Sequence, residues 1–451
     1  MNLASINKVA FVGIGGIGMS ALARFFMERG AEVRGYDRTE TELTRNLSAE
    51  GAAIHYNDNP ANVFSDAQLV VYTPAIPKDS AELNWYCDNG FPVYKRSDVL
   101  QWITETMQAI TVAGTHGKTT ISTMIAYLLR ETGYGSNAFL GGISVNYDRN
   151  YWSSTNETAV IEADEYDRSF LKLSPDIAVL SSMDADHLDI YGTVRELEAA
   201  FIQYTKNIKS GGTLLVKHGL SRAAELQGSQ TVTYSLQNDA ADCYAANIMQ
   251  KDGGYFFDYI GCSGVIGNIH LPIGGMHNVE NVVAAIAVTQ LLRIPGEDVK
   301  KALAGFRGVH RRFEYVVRNE RHVYIDDYAH HPEELAALIK SAKRLFPGRR
   351  CIIAFQPHLF SRTRDLADGF AHSLDMADEV VLLDIYPARE QPMEGVTSQM
   401  IADRMENKSN TVMSKDALLE YVRAAKPALL ITAGAGDIDK LVPEIEKILN
   451  N

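Results

Sequence analysis

The sequence predicts an α/β protein of three successive domains, and three observations carry that prediction. The first is the stretch from Ile110 to Thr120, Ile-Thr-Val-Ala-Gly-Thr-His-Gly-Lys-Thr-Thr, in which an apolar strand meets a glycine turn and a helix continues from Ile121 to Glu131. The second is an opening strand, Lys8 to Val12, that runs into Gly13-Ile14-Gly15-Gly16-Ile17-Gly18 and a helical Met19 to Arg29. The third is a series of short apolar runs near the C-terminus: Val323 to Ile325, Ile352 to Phe355, Val380 to Leu383 and Leu429 to Thr432, separated by helical stretches. A Rossmann-like N-terminal domain, a central P-loop ATPase domain and an α/β C-terminal domain are expected over residues 1–108, 109–311 and 312–451.

Composition narrows the function classes. A chain of 451 residues exceeds the size at which a single core keeps growing. It is 46% hydrophobic, yet no apolar run reaches the 18 residues of a membrane span. Its formal charge of −13 opposes nonspecific attraction to nucleic acid or to an anionic membrane. The N-terminus enters a strand without the basic, apolar and cleavage segments of a signal peptide, so a cytoplasmic location is expected. Cys87, Cys243, Cys262 and Cys351 are dispersed, with neither metal-ligand spacing nor a disulfide framework. Oligomeric state is left open.

In the first domain, the glycine turn is followed by a second strand, Ala31 to Tyr36, ending at Asp37. That spacing is a dinucleotide-type fingerprint, with Asp37 as ribose acceptor. By itself it fits a nicotinamide cofactor or a nucleotide-bearing substrate equally. Leu69 to Thr73 is a buried strand broken by Pro74 and Pro77. Ala81 to Asp88 and Ser97 to Glu105 read as helices on either side of the short segment Pro92 to Tyr94. A boundary falls just before Ile110.

The central loop has the parts of a phosphate cradle: backbone donors of Gly114, Thr115, His116 and Gly117, a helix N-terminus, the Lys118 ammonium and the hydroxyls of Thr119 and Thr120. Only two residues separate Gly114 from Gly117, so the usual GxxxxGK[ST] spacing is not met. A mobile or tightly turned connection is expected from Gly133 to Gly142. Thr158 to Ile161 then delivers Glu162-Ala163-Asp164-Glu165 to a strand end, and Ile177 to Leu180 delivers Asp184 to Asp189. Glu162 and His187, with Thr119, form the candidate metal site, its oxygen donors favouring Mg2+. Thr213 to Lys217 is a strand, and Thr231 to His270 has an antiparallel character. Asn278 and Asn281 open the helical run to Leu292, one suited to capping and the other to an adenine edge.

The third domain begins at the basic turn Phe306 to Glu314. Its strands lead into three polar loops: Asp326-Asp327-Tyr328-Ala329-His330-His331-Pro332, Gln356-Pro357-His358-Leu359-Phe360-Ser361-Arg362 and Gly434-Ala435-Gly436-Asp437. Three such loops on one α/β domain suit closure over the central ATPase.

Taken together, these motifs closely resemble the bacterial Mur ligase family. The resemblance rests on Gly13 to Ser20, Gly114 to Thr120, Glu162 to Glu165, Asp186-His187, His277 to Asn281, Arg311 to Glu314, Asp326 to Pro332 and Phe355 to His358, in order along nearly the whole chain. It implies a cytoplasmic, ATP- and Mg2+-dependent ligase of peptidoglycan synthesis. Such an enzyme activates the lactyl carboxylate of UDP-N-acetylmuramate as an acyl phosphate and transfers it to L-alanine. By that resemblance Gly15, Gly16, Ile17, Gly18, Asp37 and Thr73 bind the nucleotide sugar, and Lys118 is the phosphate-loop lysine. Thr119, Glu162 and His187 bind metal, while Asn281, Arg311 and Asp326 belong with the nucleotide. Tyr328 and His358 contact substrate, and His330 and Arg362 take part in catalysis. Ala329 stands where the family often has glycine, and Leu359 where many relatives have arginine.

Three other readings compete. A ligase joining UDP-muramate to a preformed peptide shares most of the motifs, although Gly13 to Ser20 leans toward L-alanine. An NAD-dependent oxidoreductase explains only Gly13 to Gly18 and Asp37. A non-catalytic nucleotide-binding protein leaves the central and C-terminal motifs without a joint task.

Overall fold

A computed structural model describes residues 3–186, 188–388 and 390–451. Among the described residues the strands form three sheets; helices separate most strands of the first and third, whereas residues 213–271 carry five strands with no α-helix between them. The chain forms two compact units. One contains the residues up to Ala246, with Tyr259–Ile266 and Glu280–Leu303; the other contains Asn247–Asp258, Gly267–Val279 and Ala304–Asn451.

In the first unit, β1 (Lys8–Val12), β2 (Glu32–Tyr36), β3 (Ala53–His55), β4 (Leu69–Tyr72) and β5 (Val93–Lys95) make a parallel sheet of order β3-β2-β1-β4-β5. Strand order reverses beside β1, so the glycine turn after Val12 lies at the crevice where open α/β sheets take ligands. Helix α1 (Ile17–Glu28) follows that turn and buries Leu22, Phe25 and Phe26. Helices α2 (Glu42–Ala49), α3 (Ala81–Asp88) and α4 (Arg96–Thr106) complete this part.

The ten-stranded sheet is built around β6 (Gln108–Ala113). Helix α5 (Lys118–Glu131) starts directly behind the phosphate loop, with Gly117 at φ 80° as its N-cap, and buries Ile121, Met124, Ile125 and Leu128. The other strands are β7 (Asn137–Ser144), β8 (Arg149–Trp152), β9 (Thr158–Glu162), β10 (Ile177–Leu180), β11 (Thr213–Lys217), β12 (Gln230–Ser235), β13 (Cys243–Lys251), β14 (Gly254–Gly261) and β15 (Gly264–Leu271). The order is β15-β14-β13-β12-β11-β10-β6-β9-β7-β8. Strands β6, β9 and β10 are mostly apolar and buried because parallel strands in the middle of such a sheet are covered on both faces. Fully burying each Ile or Val there contributes roughly 1.5–3 kcal/mol.

Two expectations are corrected. Gly133 to Gly142 is not one turned connection, since Asn137–Ser144 is a strand that pairs parallel with β9. The stretch from Thr231 begins parallel, because β12 pairs that way with both β11 and β13.

In the second unit, β16 (Glu314–Arg318), β17 (Val323–Asp327), β18 (Cys351–Phe355), β19 (Glu379–Leu382), β20 (Asn410–Val412) and β21 (Leu429–Ala433) form a sheet of order β16-β17-β21-β18-β19-β20. Only β16 runs antiparallel to its neighbour. The adjacent trio β17, β21 and β18 delivers the three polar loops to one edge. No helix among the described residues is long and apolar enough to cross a membrane.

Candidate active site

The phosphate loop is shaped from behind by the end of β10. Ser182 Oγ receives the His116 backbone N–H at 2.8 Å and shares a hydrogen bond with Thr115 Oγ1, also at 2.8 Å. Ser181 Oγ donates to the carbonyls of His116 and Ala113. Gly114, at φ 132°, passes so close to Ser181 and Ser182 that a side chain there would overlap them. Neither serine is marked by the sequence as part of the loop, since 65 or more residues separate them from their partners.

Lys118 stands at the loop's centre. Its ammonium donates to the Gly114 carbonyl at 2.7 Å and pairs with both oxygens of Glu165, at 2.8 and 2.9 Å. Glu165 is wholly buried, and that burial raises its pKa against the lowering pull of Lys118. The neighbouring Glu162 has one oxygen 2.9 Å from the Thr119 hydroxyl and the other 3.0 Å from the Gly141 N–H. Burial raises the pKa of Glu162 too, with Lys118 and Thr119 pulling the other way. A β-carbon on Gly141 would overlap the Glu162 carboxylate, which explains a glycine inside β7.

Thr119 and Glu162 thus offer two converging oxygens. His187 lies outside the described residues. Among those described, no group of three His, Cys, Asp or Glu side chains could hold a metal ion. A hydroxyl oxygen and a desolvated carboxylate suit Mg2+, which keeps several waters and shares phosphate oxygens. Asn281 completes this region: its side-chain oxygen would lie 2.8 Å from a β-carbon at Gly117. Asn278 instead donates to the Gly274 carbonyl at 2.6 Å, securing the turn before helix Met276–Leu291.

The same unit holds the first glycine turn. Asp37 Oδ2 receives the Gly15 N–H at 2.8 Å and Oδ1 the Thr39 N–H at 3.2 Å, so Asp37 fastens the turn and keeps lone pairs over. A side chain at Gly15 would meet Thr44 at 2.7 Å and Asp37 at 2.8 Å. Gly13, at φ 88°, packs against Thr73. The Arg96 guanidinium lies over Gly18, within the volume a β-carbon would need. It brings a cation to the first turn of α1 that the sequence motif does not mark. Gly16 caps α1 without a side-chain bond, so the N–H groups of Ile17, Gly18 and Met19 have no intrahelical partner.

In the second unit, Arg311 is the hub. Its guanidinium reaches the Gly434 and Gly436 carbonyls, Asp439 at 3.2 Å and Asp326 at 3.6 Å, and lies 5.0 Å over the Tyr328 ring. Asp326 is buried and accepts from Thr432; desolvation pushes its pKa up to about 7 despite Arg311. His330 Nδ1 is 2.9 Å from the Tyr328 carbonyl, an obligate acceptor, so Nδ1 carries the proton and Nε2 the lone pair. Burial lowers the pKa of His330, which keeps it neutral near pH 7. The ring centroids of His330 and His358 are 6.4 Å apart, and Tyr386 stacks on His358 at 5.8 Å. Arg362 belongs to this cluster, its charge also lowering the His330 pKa. Tyr386 carries no motif signal, and Leu359 holds a strained left-handed φ of 71° at the start of helix Phe360–Leu374.

Comparison with known proteins gives a consistent result. The chain matches "Mur ligase family, catalytic domain" over residues 8–107, "Mur ligase middle domain" over 112–289 and "Mur ligase, glutamate ligase domain" over 311–436. It is 47% identical to the UDP-N-acetylmuramate--L-alanine ligase of Parabacteroides distasonis, covering 100% of this chain and 98% of that protein. Identity to the same-named protein of Flavobacterium johnsoniae is 44%, covering 100% and 99%. A solved UDP-N-acetylmuramate-alanine ligase from Thermotoga maritima superimposes with a TM-score of 0.83 at 29% identity, over 98% of each chain. A murein peptide ligase from Psychrobacter arcticus shares the fold, with a TM-score of 0.69 at 22% identity over 98% of this chain and 99% of its own.

Proposed function

The chain belongs to the Mur ligase family, and from that premise we infer that it joins L-alanine to the lactyl carboxylate of UDP-N-acetylmuramate in peptidoglycan synthesis. The observation that carries this reading is the presence, in one compact unit, of two separate glycine turns, each leading from a strand into a helix start: the turn after β1 and the loop after β6. Two such turns, as phosphate cradles, suit a nucleotide-linked substrate and a nucleoside triphosphate together. A nicotinamide enzyme has no use for the second.

The division of labour follows the chain. Residues 1–108 hold the nucleotide sugar through Gly15, Gly16, Ile17, Gly18, Asp37 and Thr73. Residues 109–311 hold ATP through Gly114 to Thr120 and Asn281, and Mg2+ through Thr119, Glu162 and His187. Residues 312–451 supply Tyr328, His330, His358 and Arg362 for the amino acid and the reacting carboxyl, while Arg311, at the edge of the central segment, and Asp326 belong with the nucleotide. ATP supplies the phosphoryl group that turns the unreactive carboxylate into an acyl phosphate, and Mg2+ offsets charge on the phosphates.

The chain's own residues do the rest. Lys118, released from Glu165, follows the charge of the transferred phosphoryl group. Glu162 and Thr119 fix the metal-facing edge of the loop. His330 Nε2 is an acceptor for the proton that the alanine ammonium must lose before its nitrogen attacks the acyl carbon. Exclusion of water protects the acyl phosphate until that attack. A cytoplasmic setting fits the substrates.

The test is ADP release by the full chain. It should require UDP-N-acetylmuramate, L-alanine and Mg2+ together. ADP release that is independent of UDP-N-acetylmuramate would contradict the reading.

A further inference from the structure

Strand β8 closes one edge of the ten-stranded sheet, and α1 lies along it. Between them sits Asn150, fully buried and bonded by every polar atom of its side chain. Its amide nitrogen donates to the Ile17 carbonyl at 2.5 Å and to Ser20 Oγ at 3.0 Å, and its oxygen accepts from Arg24 Nη1 at 2.5 Å. Arg24 is itself 3% exposed and grips Glu50 through two nitrogens, at 2.8 and 3.1 Å. The Ser20 hydroxyl donates to the same Ile17 carbonyl at 2.8 Å.

This network converges on the first turn of α1, the turn whose N–H groups have no intrahelical partner and which follows directly on the glycine turn. Gly16 gives that helix start no side-chain cap. Four glycines in the six residues Gly13 to Gly18 leave the entry to this helix few side chains of its own to hold it. The other contacts of α1 with this sheet edge lie away from that end: Phe25 meets Phe139 and Tyr151 further along the helix, and Ser153 and Arg149 meet Glu28 at its far end. At the ligand-facing end Asp37 holds the Gly15 N–H, and Asn150 supplies the side-chain bonds that tie the first turn of α1 to the sheet. Its strand pairs with β7, whose Gly141 N–H holds Glu162 on the opposite side. One hairpin therefore touches the backbone of the sugar-nucleotide cradle and the carboxylate of the ATP site.

We propose that Asn150 is a positioning residue for the diphosphate of the nucleotide-sugar substrate, setting the first turn of α1 from the β7–β8 hairpin. The assignment rests on the proposed function, because it takes the glycine turn as the cradle of that diphosphate. Asn150 touches no substrate atom. It acts by holding Ile17 and Ser20 so that the free N–H groups of the turn point at the anion, and a small rotation of such donors is costly in binding.

The experiment uses full-length protein and calorimetry with UDP-N-acetylmuramate and with ATP separately, beside thermal melting. Asn150→Leu keeps the volume and removes all three hydrogen bonds. Ser20→Ala removes one acceptor and leaves the packing intact. Asn150→Leu should weaken UDP-N-acetylmuramate binding by about tenfold or more and Ser20→Ala by about threefold, both with ATP affinity within about twofold of the parent. A purely structural role would lower the melting temperature without this selectivity. Parental UDP-N-acetylmuramate affinity in folded Asn150→Leu overturns the assignment; if that variant does not fold, parental affinity in Ser20→Ala overturns it. A parent that binds ATP but no UDP-N-acetylmuramate overturns the proposed function itself, and this assignment with it.

Discussion

The Lys118 ammonium lies 2.8 Å from Glu165 Oε2 and 2.9 Å from Oε1, so the phosphate-loop lysine is neutralised inside the protein rather than held out to solvent. A polyphosphate arriving at the loop must take the lysine from a buried carboxylate.

Replacing Glu165 by Gln should therefore tighten ATP binding measured without Mg2+. The anion then meets one negative charge fewer, worth about 1 kcal/mol or roughly fivefold at an intermediate dielectric. Lys118→Ala should do the reverse and lower turnover far more than stability. Weaker ATP binding by a folded Glu165→Gln protein, read by calorimetry, would contradict this picture of Lys118.

Glu162→Gln separates stability from activity. Burial raises the pKa of Glu162, so ionising it in the folded protein carries a desolvation cost that the neutral amide does not. The variant should melt at or above the parental temperature at pH 8. It should also lose about two orders of magnitude in turnover at limiting Mg2+, because one of the two metal-facing oxygens loses its charge. Near-parental ligation at limiting Mg2+ would remove Glu162 from the metal site.

Gly15→Val places branched carbons where Thr44 and Asp37 already stand, 2.7 and 2.8 Å from the β-carbon position. Calorimetry should record loss of UDP-N-acetylmuramate binding with ATP binding retained, since the phosphate loop after β6 is untouched. Tight NAD binding by the parent, or unchanged UDP-N-acetylmuramate affinity in the variant, would contradict the assignment of this turn.

Asp326 gives a pH signature. Desolvation pushes its pKa up to about 7 in the folded protein, above the ordinary carboxyl value, so the native state keeps a proton that the unfolded chain has released. Its contribution to stability is therefore fully present at low pH and is lost as pH rises through about 4 to 7. Asp326→Asn abolishes that titration. The urea midpoint of the variant should fall less than the parent's between pH 5 and 8, and identical pH profiles would show that Asp326 titrates normally.

Much of this arrangement is legible in the sequence because it is local. The run into Gly114, the periodicity from Ile121 and the apolar run at Ile177 each declare a strand or helix within a few residues, and β10 and α3 fall where the pattern puts them. Resemblance to the family orders the motifs along the chain. What the sequence does not carry is contact between distant segments. Gly141 reads as part of a turn because glycine pairs usually are; it lies in a strand because the Glu162 carboxylate fills the space of its side chain. Ser181, Ser182 and Asn150 are ordinary polar residues until the fold places them against the phosphate loop or the first turn of α1. Glu165 sits inside a recognisable acidic stretch, but only the structure pairs it with Lys118 and leaves Glu162 for Thr119.

The central claim is the choice of acceptor. ADP release by the full-length protein, with UDP-N-acetylmuramate and Mg2+-ATP held constant and only the acceptor changed, tests it most directly. The account predicts rapid release with L-alanine, a product heavier than the nucleotide sugar by one alanyl residue, and little release with the tripeptide L-alanyl-γ-D-glutamyl-meso-diaminopimelate. Faster release with the tripeptide, or none with L-alanine, would contradict it.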